Sequence, residues 1–385
     1  MQRKPHRHRS AATLIVAAVA AGWLLAAPAM TDVFGVSTAV AQTGKESTLR
    51  LPPGFQIDVF ARGLTKVRFM TVGPEGDLYA SLFDEGRVVR LPDRDGDGRS
   101  DRTHTFVDGL KRPHGLAFHA GYLYIAEEGR LSRAADTNGD GVANRPETLA
   151  ELPSGDGHST RTVGFGPDGM LYVSIGSSKN VVVETDQRRA TIMQFAPDGS
   201  GGRVFARGLR NSVGFVFHPT SGELWATNNG RDLLGDEYPP ETINVARDGD
   251  DFGWPHCING AEPDPEFGYP GACDGVTRPA IEMQPHSAPL GLAFYDGSQF
   301  PEEYRGDLFV AFHGSWNRSE QTGYKLVRIR MRDGQPTGEI EDFVVGWIDE
   351  KPAWGRPVDV RVGHDGALYV SDDKNGQIYR ISYVG

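Results

Sequence analysis

Cysteine is almost missing from this chain: its 385 residues include two, Cys257 and Cys273. Two thiols cannot complete a four-thiolate zinc or iron–sulfur centre, so neither is expected. They stand in a Pro- and Gly-rich stretch, WPHCINGAEPDPEFGYPGACDG. There they read as a loop staple formed in an oxidising compartment, worth roughly 3 kcal/mol in the chain-entropy picture. Long helical periodicity is also missing, which excludes stacked helical pairs. Positive charge is not in excess: the formal net charge is −11, and MQRKPHRHRS at the start is itself basic. The remainder is more acidic still, so no nucleic-acid partner is expected. No G-x-S-x-G, H-E-x-x-H, Walker or dinucleotide fingerprint occurs, which leaves serine-hydrolase and nicotinamide readings without a motif.

Only the N-terminal region holds a long apolar run. Residues 1–41 read as a secretory signal peptide: the basic start, then AATLIVAAVAAGWLLAAPAM, then the small-residue site Ala39-Val40-Ala41. Ala27-Pro28-Ala29 is an alternative site. Cleavage leaves residues 42–385 as one domain, periplasmic or secreted. The apolar run is about as long as a membrane span, so a membrane attachment is expected only if it stays uncleaved. No cysteine follows the run to take a lipid.

What is present in abundance is a repeat. A strand, a glycine turn and a second strand with a central aromatic recur six times, beginning at Phe69, His114, Thr162, Val213, Leu290 and Val358. The aromatic falls at Tyr79, Tyr124, Tyr172, Trp225, Phe309 and Tyr369. Several copies run on into a third strand, such as GRVVRLPD and GQIYRISYVG. All-strand repeats of this length predict an all-β fold, a six-bladed β-propeller of four-stranded blades. The last copy ends at the C-terminus, so ring closure is expected to borrow a strand near Gly54–Gly63.

In such a ring the innermost strand of each blade starts at the mouth of the central channel. The residues just before it are Arg68, His114, His158, Arg210-Asn211, Ser287 and Arg356. Loops after the second strands open on the same face and carry Asn228-Asn229-Gly230, His313-Gly314-Ser315-Trp316 and Asp372-Asp373-Lys374, among others. A wet channel mouth needs no reason for one or two charges, but this is a larger cationic set in an acidic protein. Close like charges repel, so the set predicts an anionic ligand, and arginine forks suit a planar polyacid. A neutral His158 could then take a proton from a hydroxyl, with nearby arginines disfavouring its charged form.

Three segments carry a resemblance to a known family: GHSTRTVGFGPDG; GLRNSVGFVFHP with the following GELWATNNG, GDE, IN and DFGWP; and WGRPVDVRVGHDGALYVSD. They resemble the soluble quinoprotein sugar dehydrogenases, the glucose/sorbosone dehydrogenase family, which carry pyrroloquinoline quinone (PQQ) and calcium on a six-bladed propeller. The resemblance spans roughly Leu51 to Tyr383. It implies His158 as the catalytic base, and Arg210, Asn211, Asn229 and Arg356 as cofactor contacts; Arg68, from its place in the cationic set at the mouth, is expected to join them. The backbone carbonyls of Gly230 and Arg231 would hold calcium, which suits oxygen ligands and would polarise the quinone carbonyl. A sugar C1 hydroxyl would lose its proton to His158 and its hydride to PQQ. The product would be a lactone or acid, and the electrons would pass to an external quinone or cytochrome. Arg231 stands where glucose-oxidising members have proline. The loop FHGSWNRSEQTGYK lacks their lysine, and His313 and Arg318 are its expected replacements. These features resemble the sorbosone and pyranose dehydrogenase branch.

Two acidic loops suggest structural calcium or tight turns. Asp136, Asn138, Asp140, Asn144 and Glu147 have EF-hand spacing. DRDGDGRSD, Asp93–Asp101, is similar, with His104 where the last glutamate belongs. Asn-Arg-Ser at Asn317 reads as a chance glycosylation pattern. Two other functions compete: a calcium-dependent propeller lactonase, which needs carboxylates converging on an axial metal, and a non-enzymatic secreted binding module. The Arg/His set favours neither.

Overall fold

Each repeat folds as a four-stranded antiparallel sheet, and six such sheets form the ring in the computed structural model, which describes residues 44–349 and 351–385. The expected signal peptide, residues 1–41, lies outside the described residues. Blade 1 comprises Val67–Val72, Leu78–Leu82, Arg87–Leu91 and His104–Val107. Blade 2 is Gly115–His119, Tyr122–Ala126, Arg130–Ala134 and Glu147–Glu151. Blade 3 is Arg161–Phe165, Leu171–Ile175, Thr191–Phe195 and Arg203–Arg207. Blade 4 is Phe215–Phe217, Leu224–Asn228, Glu241–Ala246 and Ile281–Met283. Blade 5 is Pro289–Phe294, Leu308–Phe312, Lys325–Arg332 and Gln335–Val344. Blade 6 takes three strands from the C-terminus, Pro357–Val362, Leu368–Asp372 and Gln377–Tyr383, and its outer strand from Phe55–Ala61. That strand pairs Phe55 with Tyr383 and Ile57 with Ile381, closing the ring where the repeat pattern expects it.

The recurring aromatic explains the angular packing. All six are buried, and each fills the gap to the following blade. Tyr79 packs with Leu116, Leu123 and Ile125 of blade 2. Tyr124 packs with Val163 and Val173 of blade 3, and Tyr172 with Phe215 and Leu224 of blade 4. Trp225, Phe309 and Tyr369 repeat the arrangement toward blades 5, 6 and 1. Alternation along the second strand places a hydroxyl on the channel side, where it ties neighbouring blades. Ser371 Oγ donates to the Arg68 carbonyl at 2.6 Å, Ser81 Oγ to the His114 carbonyl at 2.8 Å, and Thr227 Oγ1 to the Leu290 carbonyl at 2.9 Å. These bonds fix the starts of the innermost strands, and hence the channel mouth.

Between the third and fourth strands of blade 4 lies an insertion with its own small hairpin, Cys257–Ile258 against Glu262–Pro263. The Cys257–Cys273 disulfide is formed, with Cα atoms 5.3 Å apart.

Candidate active site

A cavity of about 360 Å³ opens at the channel mouth, within the usual range for small-molecule sites. His158 reaches it because Gly157 precedes it. Gly157 has φ 85°, and a Cβ there would fall 2.4 Å from the Ser178 carbonyl. Glycine lets the chain cross the Ser177–Ser178 turn closely enough for the His158 backbone N–H to donate to the Ser177 carbonyl at 3.0 Å. The ring follows: Nδ1 lies 3.0 Å from the same carbonyl. A carbonyl only accepts, so Nδ1 carries the hydrogen and Nε2 the lone pair. Nε2 has no protein partner among the described residues. Burial, then the charge of Arg210 with Arg161 and Arg189, lowers the imidazole pKa to about 3. The ring is therefore neutral throughout the physiological range.

The arginines are not the mutually repelling set that the sequence suggests. Arg68 pairs with Asp373 at 2.8 Å, and Arg210 with Asp232 at 2.8 Å. Arg210 also donates to the carbonyls of Asn180 and Asn229. Arg356 donates to the carbonyls of His313 and Gly314 at 3.0 and 2.9 Å. His313 Nε2 shares Asp373, at 3.1 Å. Burial outweighs that carboxylate and lowers the His313 pKa to about 4. Asp373 is buried as well, yet His313 and Arg68 hold it well below the usual carboxylate range. Local carboxylates thus neutralise much of the positive charge, while some polar capacity is left over. Arg68 Nε and Asn211 Oδ1 are buried without partners.

Asn229 and Gly230 follow the second strand of blade 4, and three contacts fix the loop there. Asn229 Nδ2 donates to the Pro289 carbonyl at 2.7 Å. The Gly230 N–H donates to Glu241 Oε2 at 2.8 Å. Asp232 accepts from Arg210 and from Asn317 Nδ2. The carbonyls of Gly230 and Arg231 receive no protein hydrogen bond among the described residues. Gly230, Asp232 and Glu241 share the cavity wall and offer oxygen donors, the chemistry a hard cation such as calcium takes, whereas Arg231 does not line the cavity. Glu241 is buried, which pushes its carboxyl up to about 7.

The cavity wall therefore unites His158, Arg68, Arg210, Asn211, Asn229, Gly230, His313 and Arg356. Other expected positions differ. His114 is fully buried below the mouth, its ring 4.2 Å from that of Phe69 and its Nδ1 3.1 Å from the Arg161 carbonyl. Arg318 turns outward to Asp236 and Glu237, and it does not line the cavity. The Arg231 side chain leaves for Asp264 of the insertion. The Asp136 loop is held by its own hydrogen bonds. Asp136 is taken up by the amides of Gly139 and Gly141, Asn138 by Asp140, and Asn144 by Thr137. Glu147 pairs with Arg133 at 2.9 Å. Among the described residues, the one His/Cys/Asp/Glu group whose ligand atoms converge is Asp93, Asp95 and Asp97, and Asp93 lines a cavity other than the one at the mouth. At the mouth two carboxylates, Asp232 and Glu241, line the cavity, and no group of three or more converges there among the described residues. Sequence reasoning passed over Asp232, Glu241 and His286, which also line the cavity.

A family model described as Domain of unknown function (DUF7133) matches residues 45–381. An uncharacterized protein of Borreliella burgdorferi is 30% identical, over 92% of this chain and 96% of its own. The pyrroloquinoline quinone-dependent pyranose dehydrogenase of Coprinopsis cinerea is 27% identical over 85% of this chain, and the chain spans about half (54%) of that protein. The solved holo form of the PQQ domain of that pyranose dehydrogenase superposes with a TM-score of 0.74. It is 22% identical, with 87% of this chain and 97% of that domain covered.

Proposed function

The chain belongs to the family described as Domain of unknown function (DUF7133), and we propose that this member is a PQQ-dependent sugar dehydrogenase. Its distant likeness to the pyranose dehydrogenase supports that reading. The observation that carries it is the neutral His158, its Nε2 lone pair free in a cavity walled by Arg68, Arg210 and Arg356.

In this reading Arg68, Arg210, Arg356, Asn211, Asn229 and His313 hold the polyacid cofactor. The orphaned Arg68 Nε gains an acceptor from it. The carbonyls of Gly230 and Arg231 hold calcium. PQQ, when bound, accepts a hydride and its electron pair. His158 Nε2 takes the proton of the sugar C1 hydroxyl, so that loss of the C1 hydride leaves a lactone. The Ser177 carbonyl keeps the imidazole in the required tautomer and stabilises the imidazolium that forms. A bound anion cancels part of the Arg210 effect on His158. It thereby raises the ring's basicity toward the range where proton transfer is efficient. Electrons then leave to an external quinone or cytochrome. The same reading makes residues 1–41 a removed signal peptide and 42–385 a periplasmic or secreted enzyme, in keeping with the disulfide.

The test is dye reduction by the purified protein supplied with PQQ and calcium, against a panel of aldoses and sorbosone. Turnover should need PQQ and sugar together. His158→Ala should abolish turnover while PQQ still binds, and full activity in that variant would remove the histidine from the mechanism. A wild-type protein that binds no PQQ would overturn the proposal.

A further inference from the structure

We propose that the disulfide-closed insertion, residues 253–280, is a buttress that orients the carbonyls of Gly230 and Arg231, with Arg231 and Asp264 as its positioning residues. The inference rests on the quinoprotein reading for the identity of the ligand. It adds a structural unit, outside the cavity, on which ligand binding depends.

The contact is buried and specific. Arg231 Nη1 reaches both oxygens of Asp264, at 2.7 and 2.6 Å. The side chains are 8% and 2% exposed. Asp264 also accepts the amides of Glu266 and Phe267, each at 2.9 Å, so its carboxylate is fixed before the arginine arrives. Its own N–H donates to the His256 carbonyl at 2.9 Å, beside Cys257. The disulfide hairpin and the carboxylate are therefore one local unit. A second tie runs from Asn259 Nδ2 to the Pro240 carbonyl at 3.1 Å, so the insertion grips the cavity loop near both ends.

Geometry links this grip to the ligand. Arg231 follows Gly230 directly, and on its other side Asp232 is held by Arg210 and Asn317. With the Arg231 side chain pinned outward and Asp232 pinned inward, the peptide planes between Gly230 and Asp232 have little freedom. Backbone carbonyls have no rotamers with which to seek a cation, so their affinity depends on backbone orientation. A buried ion pair is weak evidence for added stability, whereas fixing one arrangement of a chain is a role such pairs fill well. The disulfide closes the unit that holds Asp264. Oxidation of Cys257 and Cys273 is then a step that comes before tight loading of cation and cofactor.

The test is calorimetric titration of Ca²⁺ into the full chain with PQQ present, together with amide hydrogen exchange without either. Asp264→Asn, near-isosteric, should weaken Ca²⁺ binding at least tenfold, and Asp264→Glu should restore part of it. The Cys257→Ser/Cys273→Ser double variant should weaken it similarly. Exchange at 230–232 should rise in Asp264→Asn while exchange in the 67–72 strand stays unchanged, which separates a local effect from general loosening. Arg231→Lys, which keeps the charge but not the fork, serves if Asp264→Asn does not fold. Affinity within twofold of wild type in Asp264→Asn overturns the inference. If wild type binds neither PQQ nor Ca²⁺, the quinoprotein reading fails, and exchange alone judges the buttress: faster exchange at 230–232 supports it and unchanged exchange rejects it.

Discussion

Gly176 is the most exacting test of how the base is placed. It directly follows the second strand of blade 3, and it faces His158 and Asn211 across a gap that only a hydrogen fills. A Cβ built there lies 2.7 Å from His158 Cβ and 2.6 Å from Asn211 Oδ1. Ordinary contact begins near 3.4 Å, so Gly176→Ala must displace the root of the His158 side chain by roughly 0.7 Å. Side-chain rotation cannot supply this, because Cβ moves only with the backbone, and that backbone is hydrogen-bonded to Ser177. Overpacking of this kind costs about 1–3 kcal/mol of stability. Misplacing a reacting group by about 1 Å costs about 100-fold in rate. The expected result is a PQQ-dependent turnover about two orders of magnitude lower, with a melting temperature only a few degrees lower. Both are read on the same protein, by dye reduction and by thermal unfolding. Wild-type turnover in a folded Gly176→Ala protein would refute the claim that His158 acts from this position.

Three further outcomes follow from the same structure. Burial raises the Glu241 carboxyl from 4.5 to about 7, so its stabilising contribution is complete below pH 4.5 and is lost as pH rises through 7. The amount is about 3 kcal/mol. Glu241→Gln should flatten that part of the pH–stability curve from urea titrations, and an unchanged slope would contradict it. Phe309→Ala, at the interface of blades 5 and 6, should cost about 3–5 kcal/mol in the same assay, and a loss under 1 kcal/mol would mean that the interface collapses around the gap. Arg210→Ala removes the partner of Asp232 and a wall of the cavity, so PQQ affinity should fall at least tenfold by equilibrium titration, and unchanged affinity would count against the proposed cofactor contacts.

The ring was readable because its signal is periodic and local. One aromatic per second strand, in the same place six times, reports a repeated interface, and all six proved to be buried there. His158, Arg210 and Arg356 were readable for a related reason, since residues just before an inner strand start at the mouth, and these three line its cavity. His114 obeys the same rule of position yet sinks below it, because its ring finds Phe69 to pack against. The balancing carboxylates follow no such rule. Asp232 and Glu241 flank an irregular loop whose path back across the mouth is set by tertiary contacts. Arg318 looked like a cavity residue until Asp236 and Glu237, more than eighty residues earlier, were seen to draw it outward. At Glu147 spacing along the loop says nothing of the ion pair with its strand partner Arg133.

Closure by the Phe55–Ala61 strand has a consequence for the order of assembly. The first strand of the described chain has as its partner the last, Gln377–Tyr383, so blade 6 cannot exist before the C-terminal residues are made. Five blades can form from contiguous sequence as it emerges, while the opening strand waits as an unpaired edge, the kind of surface that invites association with another chain. The entropic cost of joining ends this far apart rises only slowly with length, so the delay is a matter of time more than of stability. Removing the final strand would therefore do more than shorten the protein: it would strand its beginning as well.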